Sequence, residues 1–197
     1  MAADSDEALK RELIAEVGEV VNFDSGGGEA YLRVFPDGAT EDQKTWEDGG
    51  LTFTHGGLSF GSNDAAYYIA DGVLEYPIMA WELTDGLNRG NSVNSQYQRF
   101  HHALGAVRNG IIGIYFLKEG QSPVLPDLYK MALSAWEIHG TPYIISQDWQ
   151  ECKKILELWD DKHQLENHLH SIRSKMQKIF DDSFYHCLLY TSDAADE

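Results

Sequence analysis

Apolar side chains recur along this chain with two different periods, and the switches between them mark out its elements. Leu9, Leu13, Val17, Val20 and Val21 recur at helical spacing and predict a helix over residues 4–21, with Asp4 or Ser5 able to cap its start. The glycines at 26–28 break that pattern. Residues 29–35 (EAYLRVF) then alternate as a strand does, and Pro36-Asp37-Gly38 closes it as a turn. Residues 37–50 are polar and acidic and read as an exposed loop. LTFT (51–54) and LSF (58–60) flank His55-Gly56-Gly57 as the arms of a hairpin. AAYYIAD (65–71) and PIMAWELT (77–84) are two further strands with a short GVLEY connection. A polar loop over 85–94 leads into a helix over 95–107. IIGIYFL (111–117) is an almost unbroken apolar run, which suits a fully buried central strand. A helix over 126–139 ends at Gly140, TPYIIS (141–146) is a second buried strand, and helical patterns fill 148–159 and 161–181. The order predicts an α/β domain, a mixed β-sheet flanked by helices.

Length and charge narrow this picture. The chain has 197 residues, enough for one domain with a real core and too few for two comfortable ones. Its last eleven residues, CLLYTSDAADE, back-translate to a string that resembles a transposase mosaic end and read primer. Residues 187–197 are therefore expected to be translated sequencing adapter, and residues 1–186 a single domain truncated at its C-terminus. The formal charge of −17 then becomes −14, because Asp193, Asp196 and Glu197 lie in that tail. Cys152 is the one cysteine outside it, so no internal disulfide is expected, which favours a reducing cytosol. No apolar run approaches membrane-spanning length, and the acidic N-terminus is unlike a signal peptide, so a cytoplasmic location is expected. The negative charge argues against generic nucleic-acid binding. One window departs from it. Residues 86–118 hold no Asp or Glu but carry Arg89, Arg99, Arg108, Lys118, His101 and His102, a candidate anion-binding surface.

The candidate chemistry sits at the border of that window. Asp71 ends one predicted strand and Glu82 lies near the end of the next, with Thr84 on the same face as Glu82 because strand side chains alternate. If the strands pair, Asp71 and Glu82 can converge, and with the Leu83 main-chain carbonyl they make an oxygen-ligand site for Mg²⁺. Such an ion activates water and offsets charge on a phosphodiester. Asn88, Arg89, Asn91, Asn94, Gln96 and Arg99 follow at once, residue types that bind phosphates and base edges. The plainer alternatives are that Asp71 before Gly72 is a turn residue and that Glu82 is held by a salt bridge to Arg99.

ADGVLEYPIMAWELTDG, NSQYQRFHHALGAV and IIGIYFLKEG together resemble the core of the PD-(D/E)xK nuclease superfamily, most closely the type II restriction endonucleases, over roughly residues 5–150. The resemblance implies a restriction endonuclease-like core in which Asp71 is the first acidic metal ligand and Glu82 the second. It implies Mg²⁺, with Mn²⁺ a possible substitute, and double-stranded DNA as substrate. It also implies a homodimer. Two positions depart from the pattern: Ala70 stands where the family has proline, and Thr84 stands at the lysine position. Threonine supplies no cation, so either Gln96 or Arg99 substitutes or the chain keeps the fold as a non-catalytic binding protein. Glu16 and Glu19 of the first predicted helix are further candidate acids near the metal. HQLENHLH (163–170) is not a zinc motif, and the stripe Leu165, Leu169, Ile172, Met176, Ile179 suits docking within the chain or a dimer seam. No phosphate-binding loop and no nucleophile elbow is present.

Overall fold

Six strands form one mixed sheet in a computed structural model of the chain, which describes Leu9, Glu12, Leu13, Ala15, Glu16 and residues 19–23, 31–35, 52–55, 58–71, 74–84, 92–118 and 124–193. The elements are β1 (Glu19–Phe23), β2 (Tyr31–Phe35), β3 (Thr52–His55), β4 (Leu58–Ser62), β5 (Ala65–Asp71), β6 (Leu74–Thr84), α1 (Ser92–Arg108), β7 (Ile112–Leu117), α2 (Pro126–His139), β8 (Tyr143–Ser146), α3 (Trp149–Glu157) and α4 (Lys162–Asp193). The sheet order is β1-β2-β5-β6-β7-β8, with β3-β4 a separate hairpin. The strands β5 and β6 pair antiparallel, and β6, β7 and β8 run parallel, joined by helical crossovers. The architecture is α/β, as expected. Among the described residues no helix is long and apolar enough to cross a membrane.

One expectation needs correction. The helix predicted over 4–21 is helical at Leu9, Glu12, Leu13, Ala15 and Glu16, but Val20 and Val21 lie in β1. Glu19–Phe23 (EVVNF) is rich in β-branched and aromatic residues and pairs antiparallel with YLRVF of β2, a better use of Val20 and Val21 than a helix beyond Gly18. The hairpin expected over 51–60 is present as β3-β4, a two-stranded unit separate from the six-stranded sheet. The strand beside β5 on its other side is β2, and that pair is parallel, while β1 pairs antiparallel with β2.

The core explains where the functional side chains end up. Strand β7 is buried at all six positions because it lies between β6 and β8 with helices on both faces. Alternation sends Gly113 and Tyr115 to one face and Ile114 and Phe116 to the other. On the second face Trp149 of α3 stacks on Phe116, with ring centroids 3.7 Å apart, and Leu9 and Leu13 are fully buried in the same core. On the first face α1 lies unusually close to the strand. A Cβ at Gly113 would stand 2.3 Å from the Ala103 carbonyl oxygen and 2.8 Å from a Val107 methyl. The β3-β4 hairpin grips the same helix, since a Cβ at Gly105 would stand 2.6 Å from Phe60 and 2.8 Å from Phe53. Phe100 stacks on Tyr143, whose hydroxyl donates to the Phe100 carbonyl at 2.9 Å. These contacts fix the height and rotation of α1, and with them Arg99 and His102. Helix α4 packs on α2, α3 and β8, closing that edge of the sheet. Its stripe docks inward as one reading expected: Ile172 and Met176 are buried, and Leu165, Leu169 and Ile179 are partly so.

Candidate active site

Glu82 is the residue around which the site forms. It lies in β6 between Trp81 and Leu83, both fully buried, and is itself only 2 % exposed. A carboxylate taken out of water to that degree must be matched by donors or cations. Helix α1 supplies both. Arg99 Nη1 donates to Glu82 Oε1 at 2.9 Å, and His102 Nδ1 meets Oε2 at 2.9 Å. Three positions apart, the two residues share one helix face and so reach one carboxylate. The His102 ring fits because residue 61 has no side chain: a Cβ at Gly61 would stand 2.7 Å from it. The hydrogen bond to Glu82 holds His102 above the usual histidine range, against the opposing effect of burial.

The second acid is Asp64. The β5-β6 ladder ends at the pair Ala65–Trp81, so the Leu83 N–H, two residues further along, has no strand partner in β5. The Asp64 carboxylate takes that N–H, with Oδ2 accepting it at 2.7 Å. The same oxygen lies 3.9 Å from Arg99 Nη1, which also donates to the Leu83 carbonyl at 2.9 Å. Two carboxylates and one main-chain carbonyl thus gather around a single guanidinium nitrogen. They do so at the C-terminal ends of the parallel strands β6 and β7, the edge at which α/β sheets usually bind ligands. Beside them lie two buried polar groups with no hydrogen-bonding partner among the described residues: the Asn63 amide, next in sequence to Asp64, and the Tyr115 hydroxyl. Tyr115 faces Glu82 in the β6-β7 register, and burial pushes its hydroxyl well above the usual phenol value.

Asp71, expected to be the first acid, is not brought to Glu82. It pairs with Leu74 at the turn end of the hairpin, eight residues of β6 away from Glu82. At about 3.3 Å per residue that is on the order of 26 Å. The antiparallel register makes this unavoidable, because residues on either side of a tight turn meet each other and not the far end of the partner strand. The Leu83 carbonyl lies beside Glu82 and accepts from Arg99 Nη1. Thr84 is buried at the end of β6, where its carbonyl accepts the Lys118 N–H at 3.0 Å. Asn88, Arg89 and Asn91 lie outside the described residues, as does the side chain of Asn94. Gln96 is buried rather than presented to DNA, and its side-chain carbonyl accepts the Leu125 N–H at 3.0 Å, holding the approach to α2. Glu16 accepts a hydrogen bond from Gln150, and Glu19 lies in β1 opposite Phe35 rather than in a first helix, its side chain outside the described residues. The basic window is partly internalised: Arg99 and Lys118 are tied to Glu82 and Glu12, and the Arg108 guanidinium lies over the Phe60 ring.

The donor set suits a hard divalent ion, since carboxylate and carbonyl oxygens are the protein ligands that Mg²⁺ takes. Among the described residues no group of three or more His, Cys, Asp or Glu side chains is arranged to hold a metal ion, so any such site draws on the Leu83 carbonyl as well as the two acids. No protein-family model, curated protein or solved structure matches the chain.

Proposed function

We propose that this protein is an Mg²⁺-dependent endodeoxyribonuclease, with Asp64 and Glu82 as its acidic pair and the Leu83 carbonyl as a third oxygen ligand. The observation that carries the reading is the convergence of those three oxygens at one point, at the sheet edge from which the acid-free segment 86–118 begins. A bound divalent ion supplies the activated water and the positive charge that phosphodiester hydrolysis needs. The chain's own residues do the rest. Leu83 N–H fixes the Asp64 carboxylate, and His102 fixes one oxygen of Glu82. Arg99 supplies the cation that Thr84 lacks, at the place where the resembled family uses a lysine. A guanidinium pairs with phosphate oxygens through two parallel hydrogen bonds, so Arg99 serves both to hold the phosphate and to offset its charge. Restriction-type specificity, double-stranded DNA and a homodimer belong to the same proposal through the sequence resemblance, with the 86–100 segment as the part of the chain that contacts DNA.

A second reading has one observation in its favour. Both Glu82 oxygens are already satisfied by Arg99 and His102, as in a closed structural ion-pair network. A non-catalytic binding protein on the same fold would look like this. Incubation with supercoiled plasmid and Mg²⁺ or Mn²⁺ separates the two. Cleavage by the parent that is lost in Asp64→Ala and Glu82→Ala supports the nuclease. A parent that neither cleaves DNA nor binds it in a metal-dependent way supports the binding protein.

A further inference from the structure

The Arg99 guanidinium stands where a bound cation would stand. Its Nη1 is 2.9 Å from Glu82 Oε1, 2.9 Å from the Leu83 carbonyl oxygen and 3.9 Å from Asp64 Oδ2. These are the oxygens that the proposed function assigns to a divalent ion. A metal ion and a guanidinium nitrogen cannot both sit against them, because their volumes overlap and their charges repel. We propose that Arg99 is a resident internal cation that a divalent ion must displace, so that metal loading and release of the guanidinium are a single exchange. The inference rests on the metal-site reading above and adds its regulation.

The way each partner is held favours exchange over rearrangement. The acids are the fixed members: Glu82 is 2 % and Asp64 8 % exposed, and each keeps a second anchor, His102 for Glu82 and Leu83 N–H for Asp64. Arg99 is the member on the water side, 26 % exposed, at the end of a long side chain from the second turn of α1. Its departure therefore leaves the oxygens in place. It also leaves a planar, permanently charged fork beside the site, suited to a phosphate. Metal and phosphate binding are then linked. An anion that holds the released guanidinium strengthens metal binding, and the metal strengthens anion binding by the same factor.

Isothermal titration with Mn²⁺ alone, without nucleic acid, tests the exchange. Arg99→Gln is expected to bind Mn²⁺ roughly tenfold or more tightly than the parent, as removal of a charged competitor from shared oxygens requires. Glu82→Gln is expected to abolish binding in both backgrounds. Because Arg99→Gln removes a partner of a buried acid, a second measurement uses the parent alone: the Arg99 Nε–H resonance, assigned with Arg99→Lys, shifts as diamagnetic Mg²⁺ is added. Equal Mn²⁺ affinity in parent and Arg99→Gln, or an Arg99 resonance that stays in place at saturating Mg²⁺, overturns the exchange while leaving the nuclease reading intact. Absence of Mn²⁺ binding in both proteins overturns the exchange together with the metal site.

Discussion

Replacing Gly113 by alanine puts one methyl group between the sheet and the helix that carries Arg99 and His102. The added Cβ would lie 2.3 Å from the Ala103 carbonyl oxygen, against an ordinary carbon–oxygen contact of about 3.3 Å. The obstacle is main chain, so no side-chain rotation relieves it, and α1 must lift by about 1 Å. Forced overpacking of this kind costs about 1–3 kcal/mol. The upper end applies here, because Val107 is also only 2.8 Å away and the β3-β4 hairpin holds the far side of the helix. For a chain of this size about 3 kcal/mol lowers the melting temperature by roughly 6–12 °C. The functional effect is larger. Arg99 and His102 reach Glu82 at 2.9 Å, and a lift of about 1 Å carries them beyond hydrogen-bonding range. A misplacement on that scale costs on the order of 100-fold in rate. Urea denaturation and thermal melting, beside the plasmid assay, measure both effects. Gly110→Ala is the control: that glycine has φ +79° with nothing within 4 Å of a Cβ, so only left-handed backbone strain of about 1–2 kcal/mol is added and the site is untouched. A Gly113→Ala protein within about 0.5 kcal/mol of the parent would refute the close packing of α1 on β7.

Three further outcomes follow from particular residues. Asp71→Asn is expected to keep parental cleavage, because its strand position is eight residues from the register of Glu82; loss of cleavage in a folded Asp71→Asn protein would return the metal site to the turn end of the hairpin. Burial pushes the Cys152 thiol up to about 12, so at pH 8 iodoacetamide should leave the Cys152 peptide unlabelled in the native protein and label it in urea, as read by mass spectrometry. Asp161 caps α4 by accepting from the Gln164 N–H at 3.1 Å and from its side-chain amide at 2.7 Å, which holds its carboxyl below the 3.8 of a free aspartate. Its contribution is therefore present above that value and lost as the pH falls through the lowered one, so the Gln164 amide resonance should titrate with an inflection below pH 3.8.

Much of the fold was legible because its elements announce themselves locally. The run IIGIYFL is buried on both faces, and Pro126 and Gly140 bracket α2 within the pattern that predicts it. The site was half legible. Glu82 stood out as a carboxylate inside an apolar strand, and its pairing with Arg99 was one of the two readings its surroundings allowed. Asp64 was missed, although the signal was present. Counting back from the turn at 72–73, Glu82 falls opposite residue 63, and the one-residue bulge between Tyr67 and Tyr68 shifts that to 64. Asp71 is at the turn and Glu82 far from it, whereas an antiparallel pair brings together residues equally far from the turn. His102 stood out only as a member of the basic window, and nothing local marked it as a partner of Glu82. Its role depends on the rotation of α1, which the glycines at 61, 105 and 113 set through contacts between residues far apart in sequence. Val20 and Val21 were misread because a short apolar spacing of four, three and one satisfies a helix until a partner strand competes for it.

The most direct measurement is the rate of supercoiled plasmid cleavage in Mg²⁺ by the parent and by Asp64→Asn, each shown to be folded by its melting curve. Asp64→Asn keeps the size of the side chain and an oxygen able to accept the Leu83 N–H while removing the charge. Cleavage by the parent that stops on chelation and falls by on the order of 100-fold or more in Asp64→Asn is the expected result. Cleavage that proceeds equally in the two proteins, or that is absent from the parent, would contradict the assignment of Asp64 and Glu82 as the metal-holding pair.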